Sequence, residues 1–324
     1  MIELARVTKR FGALTAVDDL SFTVRPGRVT GFLGPNGAGK TTTMRIILGL
    51  DAPTTGTALV AGRRYRHFAR PLRQVGSLLD ASAVQGARTA RDHLLSLAVS
   101  NGIGRARVTE VLALTGLDPV AGKRVRDFSL GMKQRLGIAA AMLGDPPVLI
   151  FDEPVNALDA DGVRWIRLLM RQLAANGHTV FISSHLMSEM AQTADHLIVI
   201  GRGRLLADAP TAQFTGPAAG GDVLVRSPRA GDLTELLRAR GAAVAVTGDG
   251  GLSVTGTDAA AIADLAAARG IPVHELTRRA PSLEQVYLNL TGASTEYRAL
   301  GPEDRTPAPE GRALAPGRET EDGR

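Results

Sequence analysis

The chain has 324 residues, of which 44% are apolar, a formal net charge of +6 and no cysteine. That length suits one large and one small domain, and that apolar content is ample for a buried core, which excludes wholesale disorder. Without cysteine there are no disulfides, no cysteine-ligated zinc and no thiol catalysis, and the composition fits a reducing compartment.

Of the 38 basic residues only four are lysines, Lys9, Lys40, Lys123 and Lys133. Positive charge so dominated by arginine, beside abundant alanine and glycine, fits GC-rich coding as well as it fits selection for a polyanion. No nucleic-acid partner is expected on this ground. Met1-Ile2-Glu3 lacks the basic region and apolar run of a secretory signal. The most apolar long window, Leu136 to Phe151, is interrupted by Asp145-Pro146-Pro147, whereas a bilayer helix needs about 20 apolar residues. If the protein works at a membrane, another chain supplies the spanning part.

Residues 1–212 alternate short β-branched runs with longer amphipathic stretches, the pattern of an α/β domain with a mainly parallel sheet. The first clear strand is Val29–Leu33. Directly after it, Gly34-Pro35-Asn36-Gly37-Ala38-Gly39-Lys40-Thr41 matches the phosphate-loop pattern G-x-x-x-x-G-K-[ST] in full, and a helical stretch, Thr42–Leu50, follows. Glycines there let successive backbone N–H groups turn inward around phosphate oxygens, and the helix N-terminus adds a favourable dipole. Lys40 is expected to neutralise the β- and γ-phosphates, and the Thr41 hydroxyl to ligate Mg²⁺, with Thr42 also in the binding set. This predicts a nucleoside triphosphate site.

The short strand Val75–Leu79 leads to Asp80, and an amphipathic run covers Ala90–Val99. Val148–Phe151 reads as a buried strand that ends in Asp152-Glu153-Pro154. A carboxylate at the end of such a strand sits beside the phosphate loop, so Asp152 is a candidate for Mg²⁺ and Glu153 for the general base that polarises the attacking water. Further strands are expected at Thr179–Ser183 and Leu197–Ile200.

A linker is expected over 213–221, marked by Ala218-Ala219-Gly220-Gly221. From 222 to 292 the reading is strand (Val223–Arg226), helix (Gly231–Arg240), a strand pair around Thr247–Gly251, helix (Asp258–Arg269) and strand (Val273–Leu276). That β-α-β-β-α-β order predicts a small ferredoxin-like α+β domain. His274 is its one histidine and has no metal-ligand partner nearby in sequence, which points to a structural role. The proline-rich, charged stretch 293–324 is expected to be a disordered tail.

A phosphate loop, then Phe128-Ser129-Leu130-Gly131-Met132-Lys133-Gln134-Arg135, then the Asp-Glu strand resembles the ATP-binding cassette of ABC transporters. The family signature is usually Leu-Ser-Gly-Gly-Gln. Ser129 and Gly131 match it, and the resemblance implies that they touch the γ-phosphate; the first glycine and the glutamine do not match. The resemblance also implies that Phe11 stacks on adenine, that Asn156-Ala157-Leu158-Asp159 is the loop crossing to the partner cassette, and that His185 is the switch histidine. Where the family carries a glutamine at the edge of its helical subdomain, this chain has Asp80; an oxygen ligand is retained, but shorter and charged.

The resemblance places the helical subdomain at about 80–143. It implies that one cassette's signature closes over ATP held by another, so a second copy of the chain or a paralogue is required. It further implies ATP hydrolysis coupled to a separate polytopic membrane permease, at the cytoplasmic face of the membrane. Exporter ATPases of the daunorubicin-resistance type resemble the chain further, through Leu79–Ala83, Ser129–Arg135 and Ser282–Leu288. The likeness covers about residues 1–292, most strongly the cassette. The alternative is a soluble cassette ATPase acting on ribosomes or nucleic acid. Against it stand a single cassette and the absence of sustained heptads.

Overall fold

Residues 1–185, 187–215, 221–279 and Leu283 are described in the computed structural model. In chain order the cassette region runs β1 (Ile2–Phe11), β2 (Leu14–Val24), β3 (Arg28–Leu33), α1 (Lys40–Ile47), β4 (Thr55–Val60), β5 (Val75–Leu78), α2 (Ala90–Ser100), α3 (Arg105–Leu114), α4 (Leu130–Met142), β6 (Val148–Phe151), α5 (Ala160–Ala175), β7 (Thr179–Ser183), α6 (Met187–Thr193), β8 (His196–Gly201), β9 (Arg204–Pro210) and α7 (Thr211–Thr215).

Six of these strands form one sheet in the order β5-β6-β7-β3-β8-β9. Its inner pairs are all parallel, and only the edge pair β8/β9 is antiparallel. Strands β6, β7 and β8 are buried along their whole length, as strands covered on both faces must be, and they therefore read as continuous apolar runs. The strand expected at Leu197–Ile200 extends one residue further at each end.

A second sheet, β2-β1-β4, is antiparallel and was not legible in the sequence, because bulges interrupt its alternation. Register shifts between Leu4 and Val7 and between Val7 and Lys9 break the two-residue period. This sheet packs over one face of the main sheet, where Phe22, Phe32 and Phe181 meet with ring centroids 5.1–5.8 Å apart. On the other face, α2, α3, α4 and α5 share a cluster that includes Leu94, Leu112, Leu136 and Ile166 with Leu149 and Val180. Helix α2 starts where Thr89 accepts a hydrogen bond from the Asp92 N–H, 3.0 Å. No helix among the described residues is long and apolar enough to cross a membrane.

The second unit comprises β10 (Asp222–Arg226), α8 (Ala230–Ala239), β11 (Ala243–Val246), β12 (Leu252–Thr255), α9 (Ala259–Ala268) and β13 (Glu275–Arg279). Its sheet order β11-β12-β10-β13 is antiparallel throughout, the ferredoxin-like arrangement. Val223, Val225, Leu233, Leu252, Val254 and Ile262 make a core of its own. The last strand begins at Glu275 rather than Val273; the backbone joins the sheet where the His274 N–H donates to the Arg226 carbonyl, 2.8 Å. Leu283, in the stretch singled out at the C-terminal end, is buried in the cassette's cluster. Most of the linker and the whole 293–324 stretch lie outside the described residues.

Candidate functional site

The phosphate loop joins the end of β3 to the start of α1, so its backbone amides gather at the carboxyl end of the parallel sheet, where open α/β sheets bind ligands. The turn depends on glycine. Gly39 sits at φ +100°, and a Cβ there would lie 2.4 Å from the Ala16 carbonyl oxygen. Lys40 opens α1 with its side chain folded back over the loop: Nζ donates to the carbonyls of Gly34 (2.6 Å) and Pro35 (3.3 Å). Burial pushes the Lys40 ammonium below its usual pKa, against the opposing pull of Glu153 and Asp152. A desolvated cation held by backbone carbonyls is primed to accept phosphate oxygens.

Strand β6 delivers the two carboxylates to the same edge. The Thr41 hydroxyl donates to Asp152 Oδ2, 2.7 Å, and the Ser183 hydroxyl donates to Asp152 Oδ1. Glu153 turns the other way, at φ +50°, and its Oε2 accepts from His185 Nδ1 at 2.7 Å and from the His185 backbone N–H at 3.3 Å. Two adjacent carboxylates thus face different partners, because the left-handed backbone at Glu153 separates their directions.

An open cavity of about 410 Å³ is lined by Phe11, Leu14, Ala16, the loop from Pro35 to Thr42, Asp152 and Glu153. Phe11 is half-exposed at its rim, with Lys9 Nζ 4.8 Å from the ring centroid. Gly34 lies beneath, against Ile200. His185 joins the site through Glu153. The structure places the remaining predicted residues elsewhere. Ser129 caps α4, accepting from the Met132 N–H at 3.2 Å. Gly131, in the first turn of α4, lies close to the Ala157 carbonyl, and Asp159 caps α5 by accepting from the Gly162 N–H at 2.8 Å. Within this single chain, none of these three lines the cavity.

Asp80 is exposed and outside the lining, and its Oδ1 accepts from both the Ser82 N–H (2.7 Å) and the Ser82 hydroxyl (2.6 Å). Those two bonds hold its carboxyl below the usual range, the hydroxyl contributing most. No group of three or more metal-ligating side chains occurs among the described residues, His274 included.

The sequence marks Gln134 only as a matching position in the run Ser129–Arg135, without a role, and gives Ser183 no role. Ser183 is the fully buried last residue of β7, and its oxygen also accepts from the Glu153 N–H, 2.9 Å. Gln134, on α4, donates to the carbonyls of Glu153 (3.3 Å) and Pro154 (3.0 Å). The serine pair before His185 is the one sequence signal that points toward Ser183.

A phosphate loop at the end of a central parallel strand, a threonine–aspartate pair beside it and a glutamate–histidine pair at its mouth define a nucleotide-hydrolysing cassette. The ABC transporter family matches residues 17–156. An AAA-domain family, described as a putative AbiEii toxin of type IV toxin–antitoxin systems, matches 123–191, and a domain family of unknown function matches 221–284.

The chain is 43% identical over 213 residues to the bacitracin transport ATP-binding protein BcrA of Bacillus licheniformis, covering 65% of this chain and 70% of that protein. It is 36% identical over 299 residues to Nod factor export ATP-binding protein I of Burkholderia orbicola, covering 90% and 97%. A solved ATP-binding subunit of an ABC transporter superposes with a TM-score of 0.62 at 26% identity, over 68% of this chain and 93% of that one. The dimeric cassette MJ0796 shares the fold at a TM-score of 0.61 and 24% identity, over 65% and 99%. The chain belongs to the ATP-binding proteins of ABC transporters, and it is an ATPase.

Proposed function

We propose that this protein powers export through a separate polytopic membrane permease, docked at the membrane's cytoplasmic face and working as a pair of cassettes formed with a second copy or a paralogue. The observation that carries the reading is the Glu153–His185 pair, 2.7 Å apart, beside the cavity that Lys40, Thr41 and Asp152 line. BcrA of Bacillus licheniformis is a transport protein and protein I of Burkholderia orbicola an export protein, which favours export over the ribosome-acting alternative.

In this reading the loop amides and Lys40 bind the phosphates, and Lys40 exchanges its two carbonyl partners for phosphate oxygens. Phe11 offers an exposed ring to the base. Thr41 Oγ1 and Asp152 Oδ2 lie 2.7 Å apart and form an all-oxygen donor pair that fits Mg²⁺, which they would hold. When bound, Mg²⁺ supplies charge that offsets the phosphates. Glu153 takes the proton from the attacking water, and His185 fixes the direction of its carboxylate. Ser129, Gly131 and Asp159 serve the partner's nucleotide across the pair. Asp80, whose turn engages only Oδ1, tunes metal binding through water.

The test is recovery of tagged Glu153→Gln protein from native membranes in the presence of ATP. Co-recovery of a polytopic membrane protein supports the reading. Ribosomes or nucleic acid recovered without one overturn it. For Asp80, unchanged Mg²⁺-dependent turnover in Asp80→Asn ends that part of the proposal.

A further inference from the structure

Glu153 is held in an unusual way. Its φ of +50° lies in the left-handed region, which disfavours any residue with a Cβ. Such a conformation persists only where the surroundings over-determine it. Here side chains from outside its own strand bond to both of its backbone polar groups, and the carbonyl also accepts from the Asn156 N–H of the following turn, 3.2 Å. The Glu153 N–H donates to Ser183 Oγ, 2.9 Å, while the Glu153 carbonyl accepts from Gln134 Nε2, 3.3 Å, which also donates to the Pro154 carbonyl at 3.0 Å.

Both side chains are buried, Ser183 at 0% and Gln134 at 5% exposure. Burying two polar side chains is favourable only if they are hydrogen-bonded, and these spend their bonds on this one segment. Ser183 does more, since its hydroxyl proton goes to Asp152. The serine therefore spaces the carboxylate assigned to the metal from the carboxylate assigned to the water. The glutamine comes from the opposite side, on α4. That helix is seated tightly on the same segment: a Cβ on Gly131 would lie 2.9 Å from the Ala157 carbonyl oxygen.

We propose that Ser183 and Gln134 are positioning residues that clamp the Glu153 backbone from two elements and so aim its carboxylate at the attacking water. The inference rests on the reading of Glu153 as general base. Neither side chain lines the nucleotide cavity, so loss of the clamp should slow the chemical step and spare ATP binding.

The experiment is steady-state MgATP hydrolysis by the full-length chain for wild type, Ser183→Ala, Ser183→Thr, Gln134→Met and Glu153→Gln, with ATP affinity measured in parallel. Ser183→Ala and Gln134→Met are expected to lose kcat at least tenfold while KM stays within twofold. Ser183→Thr keeps the hydroxyl that bonds the Glu153 N–H and Asp152, so it should retain at least half of wild-type kcat. Wild-type kcat in both Ser183→Ala and Gln134→Met, with Glu153→Gln inactive, overturns the clamp and leaves the base assignment standing. Wild-type turnover in Glu153→Gln overturns the base assignment itself. Should Ser183→Ala not fold, the kcat-against-KM split in Gln134→Met, nearly the same size as glutamine, decides alone.

Discussion

The cassette and the second unit differ in where they accept strain. Seven non-glycine residues have positive φ among the described residues, and all lie in the cassette: Arg6, Asp19, Ala61, Asp145, Glu153, Ala157 and Arg202. In the second unit only Gly241, Gly250, Gly256 and Gly270 do so, where the conformation costs nothing extra. Arg6 and Asp19 fall at the bulges of the antiparallel sheet, whereas Glu153 and Ala157 flank the segment under α4. The second unit, built from βα repeats around one apolar core, looks like a packing solution. The cassette holds disfavoured backbone where its carboxylates must diverge. Of the seven, Glu153 alone lines the nucleotide cavity, and there the disfavoured backbone separates the directions of two adjacent carboxylates.

That contrast can be broken in several ways. The largest effect is expected at Lys40. Lys40→Ala should lower ATP hydrolysis by about 100-fold or more, since one preorganised charge at a reacting phosphate carries that order of rate; a turnover assay with titrated MgATP checks it. In the second unit, Ile262 is fully buried, and Ile262→Ala should cost about 2–5 kcal/mol of that unit's stability. Hydrolysis by the same variant should stay within twofold of wild type. Loss of turnover at a temperature where the cassette remains folded would show that the two regions are not separable.

Smaller effects sharpen the picture. Ala157, at φ +62°, should tolerate glycine well: Ala157→Gly is expected to raise cassette stability by about 0.5 kcal/mol in urea, relief of the left-handed strain outweighing the added chain entropy. In the second unit, the Asp249 carboxyl is lowered to about 2, first by the Thr247 hydroxyl, then by the Gly251 N–H, with Arg226 adding to both. A depressed carboxylate contributes stability above its unfolded value of 3.8 and loses it as pH falls through about 2. Asp249→Asn should therefore flatten the acid limb of that unit's unfolding curve between those two values. The effect is small, because the group is exposed.

How much of this was legible in the sequence follows from the range of each interaction. The phosphate loop and the Asp152–Glu153 strand end are contiguous, so their pattern declares the chemistry. Strands β6 and β7 were read to their ends, being buried on both faces and apolar throughout. Strands β1, β2 and β4 were missed because bulges spoil their alternation. Gln134 and Ser183 lie 19 and 30 positions from Glu153, and no local pattern records that pairing. Asp80 was read as an oxygen ligand from its place alone; that it closes a turn on Ser82 depends on rotamer and loop geometry. The positions of Ser129 and Asp159 as helix caps are local and were available from their residue types.

The most direct test of the account is single-turnover hydrolysis of bound MgATP by wild type and Glu153→Gln at matched occupancy. Unchanged ATP affinity and a loss of at least about 100-fold in the hydrolysis step are expected, because the water loses its base while the phosphate loop is untouched. Hydrolysis at the wild-type rate in Glu153→Gln would contradict this and move the catalytic role away from the carboxylate that this cassette goes furthest to hold in place.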